Sequence, residues 1–245
     1  MALAMDSGEV QVICSSTGDE RVTLDGDQGR VFAVAFSEDG RSVAGTHTKG
    51  WWACEVPSGR DRLRVRKCRS DGAVLVEAAF SPSLAYVATV SSDCADKVAV
   101  CIAETGEVDR LLMLGNHSTQ ISAVGFCPDG IRIAAGGSCG GICLWDALTG
   151  ATLQRWPDAH VGRVGSVSVH GNLVASGGRD NLIKVWHSGS GAALWTLAGH
   201  VAEVTSVAFA PHGKSIASGG LDRFISQKVF INSFHKIQNP NKSVN

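Results

Sequence analysis

Nowhere in the 245 residues do 18 apolar side chains run together, so no segment reads as a membrane-spanning helix. The opening stretch, MALAMDSGEVQV, lacks a charged leader and a long apolar core, so no secretory signal peptide is expected there. Neither charge is in surplus. Lys and Arg number 22 against 23 Asp and Glu, which leaves no global field to gather nucleic acid or anionic lipid. Charged residues are sparse at 18% while 44% are hydrophobic, a balance that suits one packed domain and excludes a disordered chain. The eight cysteines are scattered and form no dense disulfide framework. A reducing, intracellular setting is expected, cytoplasmic first and nuclear second.

What the chain has is self-similarity, and a repeat decides architecture before any local pattern does. VFAVAFSEDG (31–40), LVEAAFSPSL (75–84), ISAVGFCPDG (121–130), VGSVSVHGNL (164–173) and VTSVAFAPHG (204–213) each read as an apolar strand followed by a turn. Taking Phe36, Phe80, Phe126, Val169 and Phe209 as equivalent gives spacings of 44, 46, 43 and 40 residues. That period matches the roughly 40–45 residues of a four-stranded propeller blade. Helical repeats of this length need apolar residues three and four apart; here short β-branched runs are broken by Gly, Asp, Ser and Pro. Within the fourth unit, VGSVSV, LVASGG, LIKVWH and AALWTLAG are separated by HGN, RDN and SGSG. Those breaks are turn chemistry, since Gly and Asn tolerate positive φ and Asp caps a turn with its own side chain. Each unit is therefore predicted to be a four-stranded antiparallel sheet.

Gly199-His200, Trp145-Asp146 and the ASGG-x-D strings at 175–180 and 217–222 resemble WD repeats, and the likeness covers roughly residues 1–225. The resemblance implies an all-β propeller whose blades each hold a buried chain, in which a turn Asp bonds a His, the His bonds a Ser or Thr, and the hydroxyl meets a Trp indole. By this likeness the fourth unit supplies Asp180, His160, Ser166 and Trp186. The fifth keeps His200, Ser206 and Asp222 but has Lys228 near the Trp position. The third keeps His117 and Trp145, with Ala123 and Cys139 in the other places, and the second retains only Asp93. In the first two units Cys54 and Cys101 stand where Trp is expected, both able to fill a core.

The expected organisation is a partial blade over residues 1–24, where GEVQVIC and ERVTL resemble the last two strands of a unit, then five blades over 25–230, then a divergent, disordered tail over 231–245. Five blades and a remnant could close as six; a longer parent of seven blades is the alternative. After SGGLDRFI the family pattern expects an apolar strand with Trp-Asp, and SQKVFINSFHKIQNPNKSVN stands there instead. A truncated or misspliced product is one reading, checked by sequencing the transcript across codon 225.

Asp180, His160 and Ser166 contain the residue types of a hydrolase triad. Yet the constellation recurs at blade spacing, its hydroxyl is committed to an indole, and no G-x-S-x-G elbow appears. Catalysis is not expected. Cys139 and Cys143, with His117 or Cys127, have no matching second pair for a metal, and the glycine pairs at 136–137, 177–178 and 219–220 lack the Lys-Ser/Thr helix of a phosphate loop. No metal or cofactor is expected. The basic run Arg60–Arg69 alternates Leu63 and Val65 with Arg62, Arg64 and Arg66, the pattern of a solvated outer strand. Beside it, Trp51 and Trp52 occupy the third strand of the first unit, where at least one should be core and an exposed indole would mark a contact site.

The family resemblance implies docking on the face bearing the loops between blades and between second and third strands. The positions three residues after the His column, Arg30, Val74, Gln120, Arg163 and Glu203, point there, beside Arg179 and Leu221. A ring of Arg, Gln and Glu suits a short peptide with charged or polar groups, with Arg163 and Arg179 as carboxylate anchors. The function expected is a non-catalytic scaffold for proteins in a multiprotein complex, with no nucleic acid, membrane or small-molecule substrate. The alternatives are a fragment of a larger WD-repeat protein and a hydrolase using the propeller channel.

Overall fold

A computed structural model describes residues 2–4, 9–14, 17, 19–24, 31–37, 39–47, 50–56, 61–65, 74–93, 95–114 and 120–229. The elements are all strands. A three-stranded sheet comes first, from β1 (Ala2–Ala4), β2 (Val10–Ile13) and β3 (Glu20–Leu24). Four four-stranded sheets follow. They are β4 to β7 (Val31–Phe36, Ser42–His47, Gly50–Glu55, Asp61–Val65), β8 to β11 (Leu75–Phe80, Tyr86–Ser91, Lys97–Ile102, Val108–Met113), β12 to β15 (Ile121–Phe126, Arg132–Gly137, Ile142–Asp146, Thr152–Trp156) and β16 to β19 (Val164–His170, Leu173–Gly178, Ile183–His187, Ala193–Leu197). The last sheet has three described strands, β20 (Val204–Phe209), β21 (Ser215–Gly220) and β22 (Ile225–Val229). Every sheet is an antiparallel meander, so the all-β architecture of successive blades stands.

Two details differ from the sequence reading. The opening unit has three strands rather than two, because Ala2–Ala4 is too short to display a period. The fifth unit shows three strands, and its fourth, like the tail over 231–245, lies outside the described residues.

The repeat is exact in register. Phe36, Phe80, Phe126, Val169 and Phe209 each sit opposite an aliphatic residue of the second strand: Val43, Val87, Ile133, Val174 and Ile216. All five first strands skip a residue near their start, as between Val164 and Ser166, which re-aims the strand where it enters the sheet. Turns use positive-φ glycine where the chain must reverse, for example Gly130 and Gly213 in the hairpins between first and second strands.

Both faces of an inner sheet are covered by neighbours, which is why second and third strands read as nearly unbroken buried runs. Apolar clusters therefore lie between sheets. One joins Trp156 and Trp186 to Val164, Val167 and Val169, and another joins Ala175, Ile183 and Val185 to Val204, Val207 and Ile216. Polar pins cross the same boundaries. Ser122 Oγ donates to Val164 O at 2.7 Å, while Ser166 Oγ and Ser168 Oγ accept from the backbone N–H groups of Val207 and Phe209, each at 3.1 Å.

The first full blade is built on both tryptophans, neither of them exposed. Trp51 packs toward the second blade and donates its indole N–H to Ala103 O at 2.8 Å. Trp52 faces the opening sheet, against Val10 and Val12, and its ring lies over Gly45. Trp156 repeats the first arrangement, donating to Gly191 O of the next blade at 2.8 Å. The basic strand β7 pairs with β6 at the end of its sheet's strand order, an outer position.

Trp52 Nε1 has no acceptor among the described residues, whereas Trp51 Nε1 is bonded. Trp51→Phe leaves a buried carbonyl without its donor and should cost about 1–3 kcal/mol more than Trp52→Phe, measured by denaturant unfolding.

Candidate functional site

The fourth blade assembles its polar chain in three linked hydrogen bonds. His160 Nδ1 bonds Asp180 Oδ1 at 2.8 Å, and His160 Nε2 bonds Ser176 Oγ at 2.7 Å. Trp186 Nε1 then donates to the same Ser176 Oγ at 3.1 Å. The fifth blade repeats the first two steps, with His200 Nδ1 on Asp222 Oδ2 at 2.8 Å and His200 Nε2 on Ser218 Oγ at 2.9 Å. The hydroxyls are therefore Ser176 and Ser218, and the expectation for Ser166 and Ser206 is corrected. Pleat parity is the reason. Trp186 lies directly across from Val174, so its same-face diagonal neighbour is Ser176, two residues on. Ser166 pairs with Gly177 on the opposite face and points to the next blade, while Ser206 is exposed.

The same register locates this slot in the other blades. Ala135 fills it in the third, where Trp145 is buried and paired with Ile133, so that blade lacks the hydroxyl; His117 lies outside the described residues. Thr89 fills it in the second, its Oγ1 3.8 Å from Cys101 Sγ at the Trp position, which adds a hydroxyl to the Asp93 already assigned there. Gly45 fills it in the first, beneath the Trp52 ring. Lys228 stands opposite Ile216, at the Trp position of the fifth.

Burial lowers the His160 pKa, and the bond to Asp180, which acts the other way, does not overcome it. Burial alone would raise Asp180, but the bonds from His160, Val161 N–H and Leu182 N–H hold it below the ordinary range. A neutral His therefore bridges a charged carboxylate and a hydroxyl. Ser176 is fully buried and already receives an indole proton, so it cannot approach a carbonyl as a nucleophile must. The arrangement holds loops. Asp180 Oδ2 accepts from Val161 N–H at 3.2 Å and Asp222 Oδ2 from Val201 N–H at 3.0 Å. Gly178 and Gly220 let each His ring lie on the backbone, because a Cβ there would meet Nδ1 at 2.4 and 2.9 Å.

On the loop face a second bond recurs. Ser138, Arg179 and Leu221 donate their backbone N–H to the carbonyls of Gln120, Arg163 and Glu203 at 2.8, 2.9 and 2.9 Å. The two columns of face residues are thus tied side by side, blade by blade. Gln120, Arg163, Arg179 and Leu221 are exposed, and Arg163 lies 3.8 Å from Glu203 of the next blade. Arg30 lies outside the described residues.

Two features of this face escaped the sequence reading. Val161 and Val201 are 82% and 78% exposed although held rigidly by the Asp bonds; the signal was the repeated His-Val pair. Glu77, on a first strand, is pushed up to about 7 by burial against the opposing pull of the Arg163 charge.

At the far ends of the first strands from the loop face, a cavity of about 310 Å³ is lined by Phe36, Phe80, Phe126, Pro82 and Pro128 among others. A larger cleft of about 850 Å³ opens beside it, where Asp39 caps its own turn through Ser37 Oγ and Arg41 N–H. Burial raises the thiols of Cys127 and of Cys143, the latter to about 11, which opposes the thiolate a metal needs. Among the described residues no helix is long and apolar enough to cross a membrane.

The family model described as "WD domain, G-beta repeat" matches residues 109–146, 151–187 and 191–227, the last two of which hold the His–Asp and His–Ser bonds. Among curated relatives, "Cell division cycle 20.1, cofactor of APC complex" from Arabidopsis thaliana is 27% identical over 50% of this chain and 27% of its own length. "Nuclear distribution protein PAC1" from Arthroderma benhamiae is 31% identical over 59% and 33%, and "WD repeat-containing protein SL1-17" from Schistosoma mansoni 31% identical over 55% and 42%. The matches thus span between about a quarter and two fifths of the length of these relatives.

Ser176 and Trp186 should couple by about 0.5–3 kcal/mol in a Ser176→Ala, Trp186→Phe cycle, whereas Ser166→Ala should add independently with Trp186→Phe. The pH dependence has two opposite parts. The lowered His160 makes the unfolded chain the better proton acceptor below its ordinary pKa, so stability falls on acidification from 6.5. The raised Glu77 makes the folded chain the better acceptor, so its destabilisation grows from pH 4.5 to about 7. Glu77→Gln should therefore raise Tm at pH 8 and leave it unchanged at pH 4, which thermal melts would check.

Proposed function

The chain belongs to the WD-repeat family, by three WD40 repeats in its sequence and meandering four-stranded blades in its structure, and from that premise we propose that it is a non-catalytic platform for protein partners. The observation that carries this reading is the clamped loop face, where exposed Val161, Val201 and Leu221 stand beside Arg163 and Arg179. Rigid apolar side chains next to guanidinium groups make a contact surface that loses little entropy on binding. A peptide segment with a carboxylate between aliphatic residues fits it, with Arg163 and Arg179 as anchors and Glu203 and Gln120 at the margin. Relatives described as a cofactor of a complex and as a nuclear distribution protein support protein assembly as the setting. The place of action proposed is intracellular, cytoplasmic or nuclear.

Affinity purification of the tagged chain from its own cells, with mass spectrometry of what it retains, supplies the partners. Arg163→Glu with Arg179→Glu should then weaken the principal one at least about tenfold, a loss of about 1.4 kcal/mol, while the chain still melts cooperatively. Unchanged affinity for every partner removes this face.

A further inference from the structure

The residue that opens a second strand acts as a plug against the next blade. Ser42, Tyr86, Arg132 and Leu173 hold this place, each one residue before the aliphatic partner of the Phe column. Tyr86 packs into the apolar cluster between second and third blades, and Leu173 into that between fourth and fifth. Arg132 plugs with charge. Its Nη2 donates to Asp129 Oδ2 on its own turn at 3.1 Å, while Nη1 reaches Ser188 Oγ and Asn172 Oδ1 of the fourth blade at 3.2 and 3.4 Å. Ser42 is too short to cross, and here the cleft of about 850 Å³ opens between first and second blades.

The acidic half of the Arg132 arrangement is kept at this cleft. Asp39 sits where Asp129 does, each taking the backbone N–H two residues on through Oδ1, at 3.0 and 2.8 Å. Ala85 and Ala103 are the counterparts of Asn172 and Ser188, joined by the same 2.8 Å backbone bond, so two neutral acceptors are lost. Beside them Glu104 adds a second carboxylate, exposed on the rim, where the fourth blade has Gly189. Arg41 meets Asp39 through its backbone and does not line the cleft. We propose that the cleft binds an arginine side chain of a partner protein, whose guanidinium is held by Asp39 and Glu104 as that of Arg132 is held by Asp129. A planar fork with donors on two edges suits carboxylates on facing blades better than a compact ammonium does. Ala53 and Ile102 wall the cleft for the methylene stem, and its volume admits the flanking peptide residues as well. This site goes beyond the loop face, since the turns that form it lie at the other ends of the strands.

The test is isothermal titration calorimetry of the full chain with acetyl-Ala-Ala-Arg-Ala-Ala-amide and with its citrulline counterpart, which keeps the shape and loses the charge. The arginine peptide should bind saturably and at least about tenfold tighter than the citrulline peptide. Asp39→Asn with Glu104→Gln should weaken it at least about tenfold. That pair spares the fold, because Asn keeps Oδ1 for the turn and Glu104 is exposed. Asp19→Asn with Asp158→Asn removes two exposed acids elsewhere and should change nothing. Ser42→Arg, which places the chain's own guanidinium in the cleft, should abolish binding. No saturable binding at millimolar peptide, equal affinity for citrulline, equal losses in the two acid pairs, or full binding by a folded Ser42→Arg chain overturns the proposal. Arg163→Ala with Arg179→Ala should leave the affinity unchanged; a loss there moves the peptide to the loop face and overturns it too. Failure of the cleft is thus distinct from failure of the loop face.

Discussion

A carboxylate on the turn between second and third strands fixes the relation between core and surface in this protein. Asp180 accepts from the His160 ring inside the blade and from the Val161 amide outside it, through different oxygens. The inner bond fixes the imidazole so that its far nitrogen reaches Ser176, and Ser176 in turn orients Trp186, which packs with Trp156 at a ring separation of 5.7 Å. The outer bond fixes the loop that joins one blade to the next, and with it the height at which Arg163 leaves the surface. Asp222 likewise ties the His200 ring to the Val201 amide, with both bonds on its Oδ2. Two of the three matched WD40 repeats hold this carboxylate chain, and where it is missing other packing takes over.

The first blade shows how. Its slot for a hydroxyl holds Gly45, and the space is filled by the Trp52 ring, so an aromatic wedge does by volume what Ser176 does by hydrogen bonding. The second blade takes an intermediate course with Thr89 beside Cys101. These are volume-conserving solutions to one problem, filling the interval between two covered faces of a sheet.

The repeat and its strand content were legible because alternation and turn residues are local signals, and the Phe36 to Phe209 column fell into one ladder position. Ser176 was not separated from Ser166 because both lie in short runs of small residues; only the parity of the pleat, set by pairing with Trp186, tells which face each takes. Glu77 could not be read at all, since what perturbs it comes from burial and from Arg163, two blades away in the chain. Nothing local marks Val161 and Val201 as rigid, because what holds them is Asp180 and Asp222, some twenty residues further on.

The indole bonds of Trp51 and Trp156 end on the main-chain carbonyls of Ala103 and Gly191. An acceptor of that kind belongs to no side chain, yet each of these two is held by its surroundings: Ala103 is buried, and Gly191 takes a φ of 72° with Gln154 Nε2 2.5 Å from where a Cβ would lie. The joint between these blades is thus constrained from both partners, the donating strand by the one residue type that carries the indole and the receiving turn by the small residues its backbone admits.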